Sequence, residues 1–443
     1  MWTMVLRTGV QLAMAKADTL ATGRRADNAT DAGTRRTEIL ETAASLIASS
    51  GLRTSLQEIA DAAGILPGSL YHHFESKEAI LVELIRRYQA DLDRIGLAAQ
   101  ARLDEPDSRP VADKIAELGS AIANAAVRHQ AALQMSFYEG PGSDPAFVTL
   151  TRQRPTAIQG AMLQTLRAAR WSGYIRPEID LPTLADRICQ SMLQVGLDVI
   201  RRNASAAQVA GLMCRIILQG LAARPPTDAR LDRSRAFAAA SDVIQSWADD
   251  SEADPSDKAA HLRAVARMEF GRKGYEVTTI RDIASAAGLG TGTVYRVIGS
   301  KEELLASIMR SFGQKVEAGW VGVLRSDASS IEKLDALSWV NVNALDRFSD
   351  EFRIQLAWMR QSPPDTADPG WSYATRLRQM KSLLTEGIRS GEIRIDTPST
   401  AMLARVIIGI QWIPENILRT IGTRASLVLA RDTVLRGIAA RGK

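Results

Sequence analysis

The amino-acid sequence predicts an all-α fold with two tandem helix-turn-helix domains, each followed by a helical-bundle domain. Three observations lead to this fold class. Apolar residues recur at helical spacing along the chain, and no convincing strand appears between Val111 and Leu221. Two short helices joined by a tight turn are encoded near the N-terminus. The same pattern returns 224 residues later, as Tyr71 and Tyr295 illustrate, so the chain contains an internal repeat.

Composition limits the classes of protein to which the chain can belong. Its 443 residues are too many for one ordinary core and suit two to four domains, and a hydrophobic content of 46% is enough to bury them. Lys and Arg total 55 against 50 Asp and Glu, and this net charge of +5 permits a polyanionic partner without requiring one. Cys189 and Cys214 lie in apolar helical segments, which indicates buried thiols in a reducing compartment.

The N-terminal residues carry no predicted secretion or membrane signal. Arg7, Thr8 and Gln11 interrupt the first apolar stretch, and no apolar run approaches the roughly 20 residues of a spanning helix. We therefore expect a soluble, cytoplasmic protein that does not use a membrane. Residues 1–34 are expected to form a disordered arm. Four arginines in and beside this arm either reach DNA phosphates or the minor groove, or belong to a solvated tail, which is the favoured interpretation: Arg24, Arg25, Arg35 and Arg36.

The segment 54–81 predicts a helix-turn-helix after a supporting amphipathic helix. Ser55 and Glu58 have the spacing of a capping box, in which each side chain satisfies a free backbone N–H at the start of a helix. Gly64 supplies the left-handed residue that ends this helix. Pro67 follows after about three residues and begins a second helix at a position that needs no N–H.

The second short helix, from Pro67 to Phe74, is of the kind that fits the major groove of DNA. Ser76 caps the next helix, and Lys77 lies in its first turn, where free N–H groups and the helix dipole favour a phosphate. The residues expected to contact DNA in this domain are Thr54, Ser55, Pro67, Gly68, Ser69, Tyr71, His72, His73 and Lys77.

These residues resemble the DNA-binding domain of the TetR (tetracycline-repressor-like) family of bacterial regulators. The matching positions are Ala43, Ala44, Leu46, Gly51, Thr54, Ser55, Ile59, Ala60, Ala62, Ala63, Gly64, Gly68, Leu70, Tyr71, His73, Phe74, Ser76, Lys77 and Glu78. One position departs from the family, which usually has Ser at the cap of the second helix; this chain has Leu66, a poorer cap by about 1 kcal/mol. The resemblance implies a transcriptional regulator whose helical body senses a ligand and dimerises.

The internal repeat contains this resemblance a second time. Twelve of the 28 positions in Thr278–Leu305 are identical to their counterparts in Thr54–Leu81. The copies differ where His73-Phe74 becomes Val297-Ile298, so a second domain that is only structural is an alternative. The residues expected to contact DNA in the second domain are Thr278, Thr279, Thr291, Gly292, Thr293, Tyr295, Arg296 and Lys301.

The distal halves of the two copies also correspond. Gly173–Arg176 resembles Gly391–Arg394, each between two long helices that in the family usually form a four-helix dimer interface. We therefore expect an internal bundle from roughly Thr151–Arg202 and Trp371–Arg419. The expected domains are an arm at 1–34, a helix-turn-helix domain at 35–82, a ligand-binding and dimerisation domain at 83–223, a linker at 224–257, a helix-turn-helix domain at 258–306, and a ligand-binding and dimerisation domain at 307–443.

Aromatic and thioether side chains in the two bundles are candidates for lining an effector pocket. The effector we expect is an apolar or amphipathic small molecule. The candidate ligand-binding residues are Met135, Phe137, Tyr138, Trp339, Trp358 and Met359. Ordinary core packing is the alternative for each of them taken singly.

The sequence does not predict an enzyme. The four histidines form no i, i+4 pair and no zinc-site spacing, and the glycines of Gly288–Gly292 follow no strand. We therefore expect no enzymatic activity, no cofactor and no metal. The predicted function is a sequence-specific DNA-binding transcriptional regulator, a ligand-responsive repressor acting on a double-stranded DNA operator as a single-chain pseudo-dimer, with a homodimer as the alternative assembly. The alternative function is a helical small-molecule sensor or interaction module in which one or both DNA-binding domains are inactive.

Overall fold

A computed structural model of the chain describes residues 34–52, 54–104, 109–135, 145–202, 204–249, 257–275, 278–360, 373–397 and 399–440. Within these ranges the chain is helical, and its extended pairing is limited to the isolated bridges Ile175–Ala439 and Ala222–Ile393. The predicted all-α fold class is confirmed. The predicted arm lies outside the described residues except for Thr34.

The helices of each copy follow the order expected from the repeat. Those of the first copy are α1 (34–50), α2 (Leu56–Ala62), α3 (Pro67–His73), α4 (Lys77–Asp104), α5 (Val111–Arg128), α6 (Gln130–Met135), α7 (Pro145–Arg152), α8 (Thr156–Trp171), α9 (Leu181–Arg202) and α10 (Ala206–Gln219). Those of the connecting segment are α11 (Asp228–Asp232) and α12 (Arg235–Asp249).

The helices of the second copy are α13 (Lys258–Lys273), α14 (Ile280–Ala286), α15 (Thr291–Ile298), α16 (Lys301–Arg325), α17 (Ser330–Arg347), α18 (Ser349–Arg360), α19 (Tyr373–Arg389), α20 (Thr400–Ile410) and α21 (Glu415–Ala430). A π-helical turn, Arg431–Arg436, continues α21. The copies therefore repeat the helix-turn-helix order α1–α3 as α13–α15.

The first helix-turn-helix domain comprises α1 to α3 and the start of α4. Ile39, Ala43 and Ile47 of α1 are fully buried, as the amphipathic pattern of that helix predicts. The predicted capping box forms at α2: the Ser55 backbone N–H donates to Glu58 Oε2 at 2.6 Å, and the Glu58 N–H donates to Ser55 Oγ at 3.2 Å. These short-range signals fix where α2 begins.

The first helical bundle is arranged around α5. This helix packs against α8, α9 and α10, and its buried face includes Leu118 and Ile122. Gly119 lies in the same face, and a Cβ there would come within 2.9 Å of the Cys214 Sγ atom, so the helices approach closely only because the side chain is absent. Cys189 and Cys214 are buried free thiols, and burial raises the pKa of both.

The predicted linker contains α11 and α12, and α12 packs against α16 and α17. Trp247 of α12 is buried, and its ring meets the Phe348 ring edge-on at 5.3 Å. The fully buried guanidinium of Arg431 lies 5.8 Å from the centre of the Phe237 ring of α12, and it donates to Asp335 and Asp232 at 2.8 and 2.6 Å. Residues 228–249 are therefore a structured part of the second bundle and not a free connection between domains.

The two bundles meet through α9 and α10 of the first copy and α20, α21 and the π-helical turn of the second. Arg176 and Asp432 form an ion pair of 2.8 Å across this junction, and the Asn416 side chain donates to Asp186 at 2.7 Å. The expected bundle of Thr151–Arg202 and Trp371–Arg419 contains α9, α20 and the start of α21, which meet here, but it leaves out α10 and the π-helical turn. The apolar α10 and the end of the chain supply the remaining surface.

The ends of the two copies pair reciprocally at this junction. The backbone N–H groups of Leu221 and Ala222 donate to the carbonyls of Val434 and Leu435 at 2.8 and 2.9 Å. In return, those of Ile438 and Ala439 donate to Ile217 and Leu218 at 3.0 and 2.9 Å. Each copy thus gives the other the same kind of contact, which is the arrangement of a two-fold symmetric interface.

Gly220 and Gly437 lie at the centre of this reciprocal pairing. Their backbone dihedrals are φ +73°, ψ 167° and φ +75°, ψ 156°, a region open to glycine and strained for other residues. A Cβ on Gly220 would come within 2.4 Å of the Gly437 nitrogen, and a Cβ on Gly437 within 2.3 Å of the Gln219 carbonyl carbon. The two backbones touch here because both residues lack side chains.

Arg187 of α9 is a fully buried cation at the junction. Its Nη2 donates to the Ile410 carbonyl at 2.8 Å, while Nε and Nη1 have no hydrogen-bond partner among the described residues. Burial lowers the pKa of Arg187 to about 9, so the guanidinium still carries its charge at neutral pH. Because the charge is buried with only part of its hydrogen bonds made, it lowers the stability of the junction.

Two further findings concern the described helices. No single one of them combines the length and apolar composition needed to cross a membrane, and one pair bent by 88°, Thr400–Ile410 with Glu415–Arg436, meets both conditions only when taken together. In the same part of the chain, no group of three or more His, Cys, Asp or Glu side chains is arranged to hold a metal ion.

Candidate nucleic-acid interface

The second helix of the first helix-turn-helix domain, α3, presents most of the predicted DNA contacts on its outer side. Gly68, Tyr71 and His72 are exposed, with 55% of the Tyr71 side chain accessible. The inner side of the helix is anchored by Leu70, which is buried. Ser55 at the start of α2 is exposed as well, while Pro67, Ser69 and His73 are partly exposed. Phenol, imidazole, hydroxyl and backbone groups are therefore available to a groove.

Thr54 and Thr278 hold an equivalent place behind the exposed surface. Both are buried, and their hydroxyls donate to the carbonyls of Gly51 and Gly274 at 2.8 and 2.7 Å. This hydrogen bond fixes the turn between the supporting helix and the helix-turn-helix. Their hydroxyls are thus committed inside the domain, and any role toward DNA is one of positioning the neighbouring Ser55 and Thr279.

Lys77 and Lys301, predicted as phosphate contacts, sit in different local environments. The Lys77 Nζ atom donates to the Leu52 carbonyl, and burial lowers the pKa of Lys77, against the opposing pull of Glu78. The Lys301 Nζ atom lies 4.2 Å from the centre of the Tyr275 ring. Each lysine thus contacts the turn that precedes α2 in the first domain or α14 in the second. Their phosphate contacts stay a prediction.

Arg35 and Arg36, two of the four arginines considered for a DNA-binding arm, bind their own domain. Arg36 lies 4.1 Å above the Phe74 ring and donates to the His73 carbonyl at 3.3 Å, which fixes the end of α3. Arg35 pairs with Glu38 at 2.7 Å. Arg24 and Arg25 lie outside the described residues.

The second helix-turn-helix domain reproduces this architecture with different exposed groups. Thr279 caps α14 in a second capping box, with its backbone N–H donating to Asp282 Oδ2 at 2.8 Å. On α15, Thr291, Gly292 and Arg296 are exposed, and Thr293 and Val297 partly exposed. Tyr295 is 55% accessible, the same value as Tyr71. The second domain therefore retains an exposed set of donors, with a guanidinium where the first has an imidazole.

Two exposed residues of this surface were not among the predicted contacts. Leu66, at the N-cap of α3, is 78% exposed and makes no capping hydrogen bond. Arg281, in the first turn of α14, is also exposed. In the aligned copies Leu66 corresponds to Gly290 and Arg281 to Gln57, so the chemistry of both exposed positions differs between the two domains.

Two of the six predicted ligand-binding residues have described side chains, and these two lie in different bundles. Met135 is fully buried at the end of α6, and the Trp339 ring stacks on Phe237 of α12 at 5.6 Å. The side chains of Trp358 and Met359, and the whole of Phe137 and Tyr138, lie outside the described residues. An open depression of about 450 Å³ lies elsewhere, where Arg170 and Trp171 meet the start of α9.

The first bundle contains a buried polar cluster that no sequence pattern predicted. Asp91 of α4 accepts hydrogen bonds from Arg128 at 2.8 Å and from His129 Nε2 at 3.1 Å. Burial opposes ionisation of Asp91, but these bonds outweigh it and hold the pKa of that carboxyl below its ordinary value. The Tyr88 ring lies 5.5 Å from the His129 ring, and the buried Tyr88 hydroxyl has no hydrogen-bond partner in the described chain. A buried hydroxyl without a partner is a polar atom that a bound molecule could satisfy.

Comparison with known proteins places the described surfaces in context. The family model for bacterial regulatory proteins of the tetR family matches the chain twice, at residues 39–84 and 262–308. These are the two helix-turn-helix domains.

Relatives of known identity are about half as long as this chain. The HTH-type transcriptional repressor KstR2 of Rhodococcus jostii (strain RHA1) is 33% identical over 201 residues, which cover 44% of this chain and 96% of that protein. KstR2 of Mycobacterium tuberculosis (strain ATCC 25618 / H37Rv) is 32% identical over 194 residues, covering 42% and 92%. Among solved structures, the ketosteroid transcriptional regulator KstR2 of Mycobacterium tuberculosis is 21% identical, covers 41% of this chain and 96% of its own, and has a TM-score of 0.35.

Proposed function

The chain belongs to the tetR family of bacterial regulatory proteins, and from this premise we propose that its two fused copies act as a single-chain pseudo-dimer on one DNA operator. It is a DNA-binding transcriptional regulator. Repression is the mode of action we propose, because the relatives that match over nearly their whole length are repressors by name. Action on an operator in the cytoplasm is part of the same proposal.

The observation that carries the pseudo-dimer is the reciprocal pairing of the two copies. In a symmetric dimer, a surface of one subunit meets the same surface of the other, so that contacts come in exchanged pairs. Here Leu221 donates to Val434 while Ile438 donates to Ile217, within one polypeptide. Gly220 and Gly437 touch at the point where such a two-fold axis would pass. The surface that two subunits would share is therefore already occupied inside the chain.

An operator with two different half-sites follows from the exposed residues. His72 of the first domain corresponds to Arg296 of the second, and an exposed guanidinium suits the O6 and N7 acceptors of guanine in a way that imidazole does not. Pro67 corresponds to Thr291, which adds a hydroxyl. Different donors recognise different base edges, so we expect one chain to bind one asymmetric site.

We further propose that an apolar or amphipathic small molecule releases the DNA. The unpartnered Tyr88 hydroxyl beside His129 supports a polar anchoring point for such an effector in the first bundle. Its chemical class is a molecule with a hydroxyl, carbonyl or carboxylate end that can exchange a hydrogen bond with a phenol. The signal would pass through α4 and α16, the helices that begin at Lys77 and Lys301. Release requires that the effector prefer one arrangement of the domains, by about 1–3 kcal/mol in typical cases.

In the second copy, a chain of ion pairs supports this coupling. Arg267 of the helix-turn-helix domain lies 3.5 Å from the buried Glu351 of α18. On the same helix, Arg353 pairs with Glu415 at 2.8 Å, and Glu415 begins α21 at the junction between copies. A shift of α18 would therefore change contacts both at the DNA-binding domain and at the junction.

The mass of the operator complex tests the proposal. An operator is first located by footprinting the protein on the promoter of its own coding region, and light scattering is then recorded with and without that fragment. We expect a free mass near the 48.1 kDa of one chain and one chain per fragment. A complex of two chains on a perfect palindrome would contradict the pseudo-dimer. Absence of any salt-dependent retention by DNA would instead favour a sensor or interaction module.

A further inference from the structure

Leu66 occupies an unusual place at the start of the recognition helix of the first domain. It is the N-cap residue of α3, its side chain is 78% exposed, and that side chain makes no capping hydrogen bond. Ser, Thr, Asp or Asn at this position would satisfy a free backbone N–H, and leucine cannot. The helix therefore lacks a stabilising side-chain cap and has an exposed apolar side chain at this end.

Single exposed leucines are common on protein surfaces, so exposure alone assigns no role. The position of Leu66 does, because it directly precedes Pro67 and the exposed Gly68 at the start of α3, the helix that we propose to face DNA. In helix-turn-helix proteins, residues at the N-terminal end of the recognition helix contact base edges in the major groove. An apolar side chain in that groove has one apolar group to meet on the bases, the 5-methyl group of thymine.

We propose that Leu66 packs against a thymine 5-methyl group in the half-site bound by the first domain, and so selects thymine at that position. The inference rests on the proposed binding of an operator by both domains, and it adds a specificity-determining residue to that function. Leu66 supplies no hydrogen bond, so its contribution is the removal of one methyl group and part of its own side chain from water.

The second copy provides an internal comparison. Gly290 is the N-cap of α15 and has φ −75°, ψ 146°, nearly the same backbone as Leu66 at φ −71°, ψ 145°. A Cβ placed on Gly290 would meet nothing within 4 Å. The second domain therefore has room for a side chain at the equivalent position but has none, and its half-site should show no preference for the thymine methyl there.

The experiment uses the full-length chain and a footprinted operator in which each thymine is replaced singly by deoxyuridine, which lacks only the methyl group. Affinities are measured for the wild type, Leu66→Ser and Gly290→Leu. For the wild type we expect one thymine in the first half-site at which loss of the methyl weakens binding about three- to fivefold, the factor for burying one methyl group. In Leu66→Ser this loss should disappear, although serine improves the helix cap and keeps the domain folded.

Gly290→Leu is the matched gain-of-function variant. It should create a new methyl-dependent position in the second half-site when that site carries thymine at the equivalent place. Thermal unfolding of each variant confirms that the fold is kept.

The outcomes separate this inference from the proposed function. A uridine scan that is the same for the wild type and Leu66→Ser would overturn the role of Leu66 while leaving operator binding intact. Gain of methyl dependence in Gly290→Leu together with its loss in Leu66→Ser would support it. If the chain protects no discrete DNA site in footprinting, both the proposed function and the role of Leu66 are contradicted.

Discussion

Gly437→Ala should open the junction between the two copies. Gly437 has φ +75° and ψ 156°, and an added Cβ would lie 2.3 Å from the Gln219 carbonyl carbon and 2.6 Å from the Gly220 nitrogen. Both neighbours are backbone atoms held by the reciprocal hydrogen bonds, so neither can rotate away as a side chain could. The alanine can be accommodated only if the two chain segments separate.

The expected loss follows from two contributions. A non-glycine residue in this region of φ and ψ costs about 1–3 kcal/mol. The forced contact with backbone adds about 1–3 kcal/mol, the range for overpacking a well-packed site. The sum, about 2–6 kcal/mol, is a large share of the stability of an ordinary domain, which is about 5–15 kcal/mol.

The matched control is Gly391→Ala. Gly391 also has a positive φ, +74°, but a Cβ there meets nothing within 4 Å, so only the left-handed strain of about 1–2 kcal/mol applies. Urea unfolding followed by far-UV circular dichroism compares the two variants. Light scattering should also show part of Gly437→Ala at twice the chain mass of 48.1 kDa, because the separated segments can pair with a second chain. Equal losses for the two variants would show that the backbones are not in contact, and would remove the observation on which the pseudo-dimer rests.

Three more predictions test other parts of the structure. Tyr71→Ala should weaken operator binding in a gel-shift titration more than Tyr295→Ala, because the first domain keeps the fuller recognition pattern; the reverse order would reverse our ranking of the domains. Tyr88→Phe should leave the melting temperature of the free protein equal or raise it, because the substitution removes a buried hydroxyl that has no partner in the described chain. The same variant should show smaller thermal shifts on addition of an effector. A lower melting temperature of the free variant would contradict this. Arg187→Met should stabilise the chain at pH 7 by about 1–4 kcal/mol, because it removes a buried charge. Burial lowers the pKa of Arg187 to about 9, so the wild-type guanidinium loses its charge, and with it the free-energy penalty, above that pH. The stability gain of the variant should therefore shrink between pH 7 and about pH 10. The half-exposed Arg405→Met is its control, with no gain expected, and a destabilised Arg187→Met would show that the buried charge is required.

The helix-turn-helix domains were predictable from the sequence because short-range chemistry determines them. A capping box needs only two side chains three residues apart, and Ser55 with Glu58 forms the one that the spacing predicts. Gly64 ends its helix with φ +64°, as a left-handed cap requires. Leu66 makes no capping hydrogen bond, which confirms the weak cap expected there.

The junction was harder to predict, because its partners are more than 200 residues apart in the chain. The long helices were expected to pair, but which of them meet depends on packing that no local pattern encodes. One signal was available: Gly220-Leu-Ala-Ala at the end of the first copy recurs as Gly437-Ile-Ala-Ala at the end of the second. A repeated glycine after a helix indicates a turn or a close approach of backbone, and here it marks both. The proposed effector site has no such sequence signal, because Tyr88 differs from an ordinary core tyrosine only in that its hydroxyl has no hydrogen-bond partner in the described chain.

The distribution of identical and different residues between the copies bears on why they are joined. Positions such as Ile59 and Ile283, which build the helix-turn-helix core, are identical and buried. The recognition surface differs, as at His72 and Arg296, which are both exposed. In a dimer of identical subunits, every substitution on a recognition helix changes the preference for both half-sites at once, so such a dimer is restricted to palindromic operators. Fusion removes that coupling, because each recognition helix can then change alone while the junction keeps the pair together. We therefore expect a chain of this kind to bind an asymmetric operator, with a different half-site for each recognition helix.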